Sequence, residues 1–370
     1  DAENFGLSGM SYSIDFPKIM ERKETVIYQL KNGIEVLMQQ SGVTVIMGEA
    51  RLKDEHTVSV GEEEYTAKNI IIATGSHAKM PLIEGIDSDI VITSRELLHI
   101  HDIPKRLCIV GAGVIGMEFA SVFSSFGSEV TVIEFLKESL PVLDSDIAKR
   151  LRQTLAKRGV NFYMQSAVKE ISGHTVIFER KNKMEQIEAD LVLIATGRGA
   201  NTDGLHLEEI GIENDRTGIK VDENMQTNIP GIYAVGDVNG KCMLAHAATA
   251  QGLHAVNHIL DKTDHIHFDI MPSAIFTNPE AASVGMSEDM CKDKGIEYIC
   301  KKGYYRANGK ALAMNETEGM IKLISDPEGN ILGCHAFGAH TADIIQEVSV
   351  LMCKNTTVEE LKDMIHTHPT

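Results

Sequence analysis

Residues 107–134, LCIVGAGVIGMEFASVFSSFGSEVTVIE, decide the fold. The first four are an apolar run with the length and residue types of a buried strand. They lead straight into Gly111-Ala112-Gly113-Val114-Ile115-Gly116, after which apolar residues recur at helical spacing as far as Phe126. Gly127 caps that helix, and a second strand, 129–133, ends at Glu134, 18 positions beyond Gly116. A bare glycine spacing is weak evidence, but strand, glycine loop, helix, strand and terminal acid together make a dinucleotide-binding unit. Gly111 permits the tight turn, Gly113 keeps a Cβ out of the path of a pyrophosphate, and Gly116 lets helix and strand approach. The free N–H groups and dipole of the helix start then favour the anion. Glu134 accepts the hydroxyls of the adenosine ribose and opposes a 2′-phosphate, so the expected nucleotide is NAD rather than NADP.

Upstream, residues 15–40 read as one long helix. Asp15 is its N-cap and Pro17 lies in the first turn, where a missing N–H costs little. Ile19, Val26, Ile27, Leu30, Ile34 and Leu37 recur at three- and four-residue intervals and make one apolar stripe. Strands are expected at 44–47, 57–60 and 69–73, the last ending in Thr74-Gly75-Ser76. Its continuous apolar run suits a central parallel strand. Downstream of Glu134 come a helix at 147–158 capped by Gly159, a strand at 161–164 and a meander over 167–188. The run 191–195 closes in Thr196-Gly197-Arg198 and echoes 69–76, as two strand ends facing a nucleotide. A strand at 231–235 ends in Gly236-Asp237, and from about residue 271 the chain reads as a separate α/β domain.

Composition narrows the function classes. A length of 370 residues suffices for two or three domains. The net charge of −18 argues against nucleic-acid or anionic-membrane partners, and no apolar run is long enough to span a bilayer. The opening DAENFGLSGM lacks the basic and apolar regions of a signal peptide, and the absence of a first Met suggests a start inside a larger polypeptide. Cys108, Cys242, Cys291, Cys300, Cys334 and Cys353 are scattered, which fits free thiols in a reducing cytoplasm better than a metal site or disulfide framework.

Further segments carry a resemblance: IIATGS (71–76), LIATGRGAN (193–201), IYAVGDV (232–238), MLAHAA (243–248), FTNPEAASVG (276–285), ALAMNETEG (311–319) and HTHPT (366–370). With 107–135, they make the chain similar to the pyridine nucleotide–disulfide oxidoreductase family, and within it to members that reoxidise protein-bound dihydrolipoamide. The resemblance implies an α/β fold in which a Rossmann-like NAD-binding domain, 81–199, is inserted in a partial FAD-binding domain, 1–80 and 200–270. A C-terminal α/β dimerisation domain, 271–370, follows. It implies two cofactors, FAD and NAD. Gly111, Ala112, Gly113, Val114, Ile115, Gly116, Met117, Glu118, Glu134, Val168 and Gly197 would line the NAD site. Thr74, Gly75 and Ser76 would flank the FAD pyrophosphate, Asp237 would bind the ribityl chain, and Met243, Leu244, Ala245 and His246 would meet the flavin ring. The His before Pro, His368, would be the acid–base residue, because an imidazole titrates near neutral pH. No metal is expected: His366 and His368 lack an evident third ligand.

The implied assembly is a homodimer serving a lipoyl-bearing protein of a 2-oxo acid dehydrogenase or glycine cleavage complex. The sequence also departs from the family. Its first glycine-rich loop is already the NAD one, there is no C-x-x-x-x-C pair, and no carboxylate follows His368. The expectation is therefore a chain truncated at both ends. The rival readings are a non-catalytic nucleotide-binding or complex-assembly module, and a glutathione-type reductase, which Glu134 disfavours.

Overall fold

The structure, a computed structural model, describes residues 2–9 and 11–370; Asp1 and Met10 of the N-terminal segment lie outside the described residues. The chain divides into two units. One holds residues up to 14, 80–197 and 267–370; the other holds 15–79 and 198–266.

The first unit is built on a parallel sheet in the spatial order Val91–Ile92, Leu191–Ile194, Arg106–Val110, Glu129–Glu134, Asn161–Met164. Helix Val114–Ser125 joins the two strands of the decisive stretch, and helix Ser145–Lys157 leads to Asn161–Met164. The apolar runs are continuous because both faces of the sheet are covered. Leu107, Ile109, Val130, Val132 and Leu193 share a core with Met117, Ile147 and Leu151 of the helices. An antiparallel meander, Ser166–Ser172, Thr175–Arg180 and Lys183–Glu188, lies where the turn residues between 167 and 188 require it. The last hundred residues form a five-stranded antiparallel sheet in the order Ser273–Ile275, Ala281–Gly285, Ile331–Phe337, Met320–Ser325, Ile299–Tyr304. Helix Thr341–Cys353 covers one face of it through Ile345, Val348 and Leu351.

In the second unit the expected long helix runs Phe16–Gln40, and Asp15 accepts the Lys18 N–H at its start. Its apolar stripe is not buried: Ile19, Val26, Ile27, Leu30, Ile34 and Leu37 are exposed, and Phe16 is its one buried residue. The strand expected at 44–47 does not form. A strand exists only through hydrogen bonds to a neighbour, and none runs beside these residues, so Val45, Ile46 and Met47 stay exposed. Strand Ile70–Ile72 forms, but it is not central. Among the described residues it pairs only with Ile232–Ala234, in parallel, and Ile71 is left exposed. A meander of Ala50–Asp54, Thr57–Val60 and Glu63–Thr66 completes the unit.

Candidate functional site

At the carboxyl end of Arg106–Val110 the chain turns through Gly111, whose φ of 109° belongs to the region that favours glycine. A Cβ on Gly111 would meet the Ala195 carbonyl oxygen at 2.5 Å, and one on Gly116 would meet the Gly111 carbonyl oxygen at 2.1 Å. Gly113 differs, since a Cβ there would point into open space. Gly113 is also the N-cap of helix Val114–Ser125, and no side chain occupies the cap. Open space in front of an uncapped helix start suits a diphosphate. Val114, Ile115 and Met117 follow on that helix, with Met117 fully buried.

Glu134 ends the next strand and is buried. Its Oε2 accepts the Ala112 N–H at 2.5 Å and its Oε1 accepts the Leu136 N–H at 2.6 Å. Each oxygen keeps a second lone pair, so a carboxylate in this setting still accepts hydroxyls. Glu118, one turn further along the helix, accepts the Phe276 N–H at 2.9 Å; burial pushes its carboxyl above the usual range and this hydrogen bond opposes the shift. Val168 is half-buried in strand Ser166–Ser172, beside a bulge, and Gly197 follows strand Leu191–Ile194 at a φ of 119°.

The second unit gathers the other set of residues. Strand Ser76–Ala78 pairs antiparallel with Arg198–Ala200, so the two Ala-Thr-Gly echoes are joined through the strands that follow them. Thr74 Oγ1 donates to the Asn201 carbonyl, Asn201 Nδ2 donates to the Thr74 carbonyl at 2.9 Å, and the Asn201 N–H donates to Gly75. Ser76 Oγ donates to Asp237 Oδ2 at 2.5 Å. Met243 and Leu244 are half-buried, and Ala245 and His246 begin helix Ala245–Ile259, whose start no side chain caps. A carboxylate and an uncapped fifteen-residue helix therefore belong to one unit, which fits a polyhydroxyl chain bearing a polar ring.

His368 is exposed. Its neighbour His366 is the one held by a carboxylate, with Nε2 2.6 Å from Glu347 Oε1 and Nδ1 3.1 Å from the Met364 carbonyl oxygen. The Glu347 hydrogen bond, seconded by the Met364 carbonyl, raises His366 above its ordinary value. His366 and Glu347 border a cavity of about 860 Å³ with Tyr304, Asn308 and His340, and His368 is not among the residues that line it. Among the described residues no group of three or more His, Cys, Asp or Glu is arranged to hold a metal.

Sequence reasoning missed Glu347, Arg198 and a buried charge cluster. In the cluster Lys322 Nζ lies 2.6 Å from Asp144 Oδ1 and also contacts Glu288, and both Lys322 and Asp144 are 1 % exposed. Burial alone would lower the Lys322 ammonium, but its hydrogen bonds to Asp144 and Glu288 outweigh that and raise it. Only the cap position of Asp144, ahead of helix Ser145–Lys157, left a trace in the sequence.

Residues 2–252 match the family described as pyridine nucleotide-disulphide oxidoreductase, and residues 271–370 match its dimerisation domain. The chain is 37% identical to dihydrolipoyl dehydrogenase, mitochondrial, of Pisum sativum, over 99% of this chain and 76% of that one. It is 36% identical to dihydrolipoyl dehydrogenase of Bacillus subtilis, over 100% of this chain and 81% of the relative. Leghemoglobin reductase of Glycine max is 37% identical over 99% of this chain and 73% of its own length. Among solved structures, the HOCl-induced flavoprotein disulfide reductase RclA from Escherichia coli superposes with a TM-score of 0.88 at 30% identity, covering 96% of this chain and 84% of that one. No helix among the described residues is long and apolar enough to cross a membrane. With its glycine loop, its two strands ending in Ala-Thr-Gly and its C-terminal sheet, the chain belongs to the pyridine nucleotide-disulphide oxidoreductase family, whose cofactors are FAD and NAD.

Proposed function

We propose that this protein is a flavoprotein disulfide oxidoreductase that returns protein-bound dihydrolipoyl groups to the disulfide, with NAD⁺ as final acceptor. The observation that carries this reading is the pairing of open space over Gly113 with a Glu134 carboxylate already fixed by two backbone N–H groups. A carboxylate held there takes ribose hydroxyls and repels a 2′-phosphate. On this reading Gly111 to Glu118, Glu134, Val168 and Gly197 hold NAD. Thr74, Gly75, Ser76, Asp237 and residues 243–246 hold FAD. Segments 1–80 and 200–270 then serve the flavin, 81–199 serves NAD, and 271–370 makes the contact of a homodimer.

Overall, a dithiol and NAD⁺ give a disulfide, NADH and a proton. The bound cofactors supply the electron and hydride chemistry. The chain's own contribution is placement and one proton: a ring nitrogen of His368 takes the proton of a substrate thiol. All six cysteines are free and none forms a C-x-x-x-x-C pair, so the proton step of His368 is the one step that falls to the chain's own residues. The partner is a lipoyl-bearing protein of a 2-oxo acid dehydrogenase or glycine cleavage complex. The free, separated thiols fit a reducing compartment such as the cytoplasm.

The test is oxidation of dihydrolipoamide by the holoenzyme with NAD⁺ or NADP⁺. NAD⁺ is preferred, and Glu134→Ala weakens its binding by roughly 10- to 150-fold while NADP⁺ binding changes far less. His368→Gln lowers turnover by ~10²–10⁴-fold with NAD⁺ affinity unchanged. Equal use of both nucleotides, or full turnover without His368, overturns the corresponding assignment.

A further inference from the structure

Resting on the flavin reading of the second unit, we propose that Arg198 is a positioning residue of the flavin site: through the Ser76 hydroxyl it aims the Asp237 carboxylate at the flavin's polyhydroxyl chain.

Arg198 opens a strand whose register with Ser76–Ala78 sets Arg198 opposite Ala78 and Ala200 opposite Ser76. Its side chain therefore reaches Ser76 along the diagonal, a distance long side chains span across paired strands. The contact is a fork: Nε donates to Ser76 Oγ at 2.7 Å and Nη2 donates to the Ser76 carbonyl oxygen at 2.6 Å. A guanidinium has donors only, so Ser76 Oγ must accept from it. The one hydroxyl proton of Ser76 is then committed elsewhere, and the nearest acceptor is Asp237 Oδ2 at 2.5 Å. Ser76 is buried, so water does not compete freely for that proton.

The Asp237 backbone is fixed independently. Its turn is pinned by the Gly236 N–H donating to Gln251 Oε1 at 2.7 Å, with Asn239 Nδ2 on the same oxygen at 2.8 Å. What those bonds leave free is the side-chain torsion of Asp237. The Arg198–Ser76 relay sets that torsion, engages Oδ2 and leaves Oδ1 without a hydrogen bond among the described residues. Arg198 Nε also lies 4.0 Å from Oδ2. Lysine keeps the charge but cannot hold Oγ and the carbonyl together, so the geometry asks for arginine specifically.

The experiment titrates FAD into the full chain by quenching of flavin fluorescence, with NAD⁺ affinity as an internal control. Arg198→Met weakens FAD binding about 10- to 100-fold, as Asp237→Asn does, and leaves NAD⁺ binding unchanged. The double variant is scarcely weaker than either single one, because both remove one aimed carboxylate; independent structural effects would add. Arg198→Lys recovers only part of the loss. Additive losses, full recovery by lysine, or FAD binding untouched by Arg198→Met each overturn the relay. Should Asp237→Asn and the unmutated chain bind FAD equally, or neither bind it, the flavin reading falls and the relay with it.

Discussion

The two units repeat one pattern and treat it differently. Each has a three-stranded antiparallel meander, 50–66 in one and 166–188 in the other, followed by an apolar strand that ends in Ala-Thr-Gly. In the first unit that strand, Leu191–Ile194, lies between Val91–Ile92 and Arg106–Val110, and Val192, Leu193 and Ile194 are buried. In the second the equivalent strand, Ile70–Ile72, has a partner on one side only and Ile71 is 38% exposed. An apolar run is thus a request for neighbours, and burial follows only where strands are present to answer it. The same difference explains the long helix Phe16–Gln40, whose stripe has the right period and no sheet beneath most of it.

The contrast is sharpest in charge burial. The first unit encloses Lys322 between Asp144 and Glu288, an arrangement with no counterpart of equal burial among the described ion pairs of the second. Removing one partner of a buried pair leaves an uncompensated charge, so Asp144→Ala should destabilise the protein by about 3–5 kcal/mol in urea unfolding. Replacing both partners, as Asp144→Leu with Lys322→Met, should recover most of that loss. A single variant within about 0.5 kcal/mol of the parent would mean that Glu288 alone satisfies the lysine.

A smaller effect compares two glycines. Gly111 and Gly75 both have positive φ, 109° and 73°. An alanine Cβ at Gly111 meets the Ala195 backbone, whereas one at Gly75 meets nothing within 4 Å. Gly75→Ala should therefore cost the left-handed strain alone, about 1–2 kcal/mol. Gly111→Ala adds a backbone clash of about 1–3 kcal/mol and should abolish NAD⁺ binding as well. Equal costs would show that the second unit is packed as tightly as the first.

What the sequence made legible follows from these contacts. The 107–134 unit could be read because its determinants are local: a run, a loop, a period and an acid within one stretch. The start of helix Phe16–Gln40 could be read from Asp15 and Pro17 for the same reason. The failure at 44–47 was one of pairing, since a strand-like sequence carries no record of whether a partner exists. Arg198 and Ser76 lie 122 residues apart, and Asp144 and Lys322 lie 178 apart. Contacts at such separations leave no periodic trace, and neither Arg198 nor Lys322 differs by type from a solvated surface cation. His366 was visible but its partner was not. No carboxylate follows His368 in the sequence, and the one that contacts a histidine of this segment comes from helix Thr341–Cys353.

The smallest difference between the units is the direction in which pH acts on their His–carboxylate pairs. In the first unit His366 meets Glu347 at 2.6 Å; in the second His254 meets Asp264 at 2.9 Å. His366 is raised above its ordinary value, chiefly by the Glu347 hydrogen bond. A raised histidine contributes stability that is fully present below its unfolded value, about 6.5, and that is lost as pH rises through the folded value. Asp264 is lowered, first by the Asn257 hydrogen bond and then by His254. A lowered carboxylate contributes above its unfolded value, about 3.9, and that contribution is lost only as pH falls through the folded value. Raising the pH from about 6 to about 8 should therefore diminish the His366 contribution and leave that of Asp264 intact. The His366 pair is exposed and the His254 pair only partly buried, so the changes in thermal midpoint should be small, and that of the exposed pair should shrink further with added salt. Imidazole NMR gives the cleaner reading: His366 should titrate above its ordinary value, and Glu347→Gln should move it back toward that value, the Met364 carbonyl holding the remainder. Asp264→Asn should instead reduce stability equally at both pH values, and a loss confined to the higher one would reverse the sign assigned to that pair.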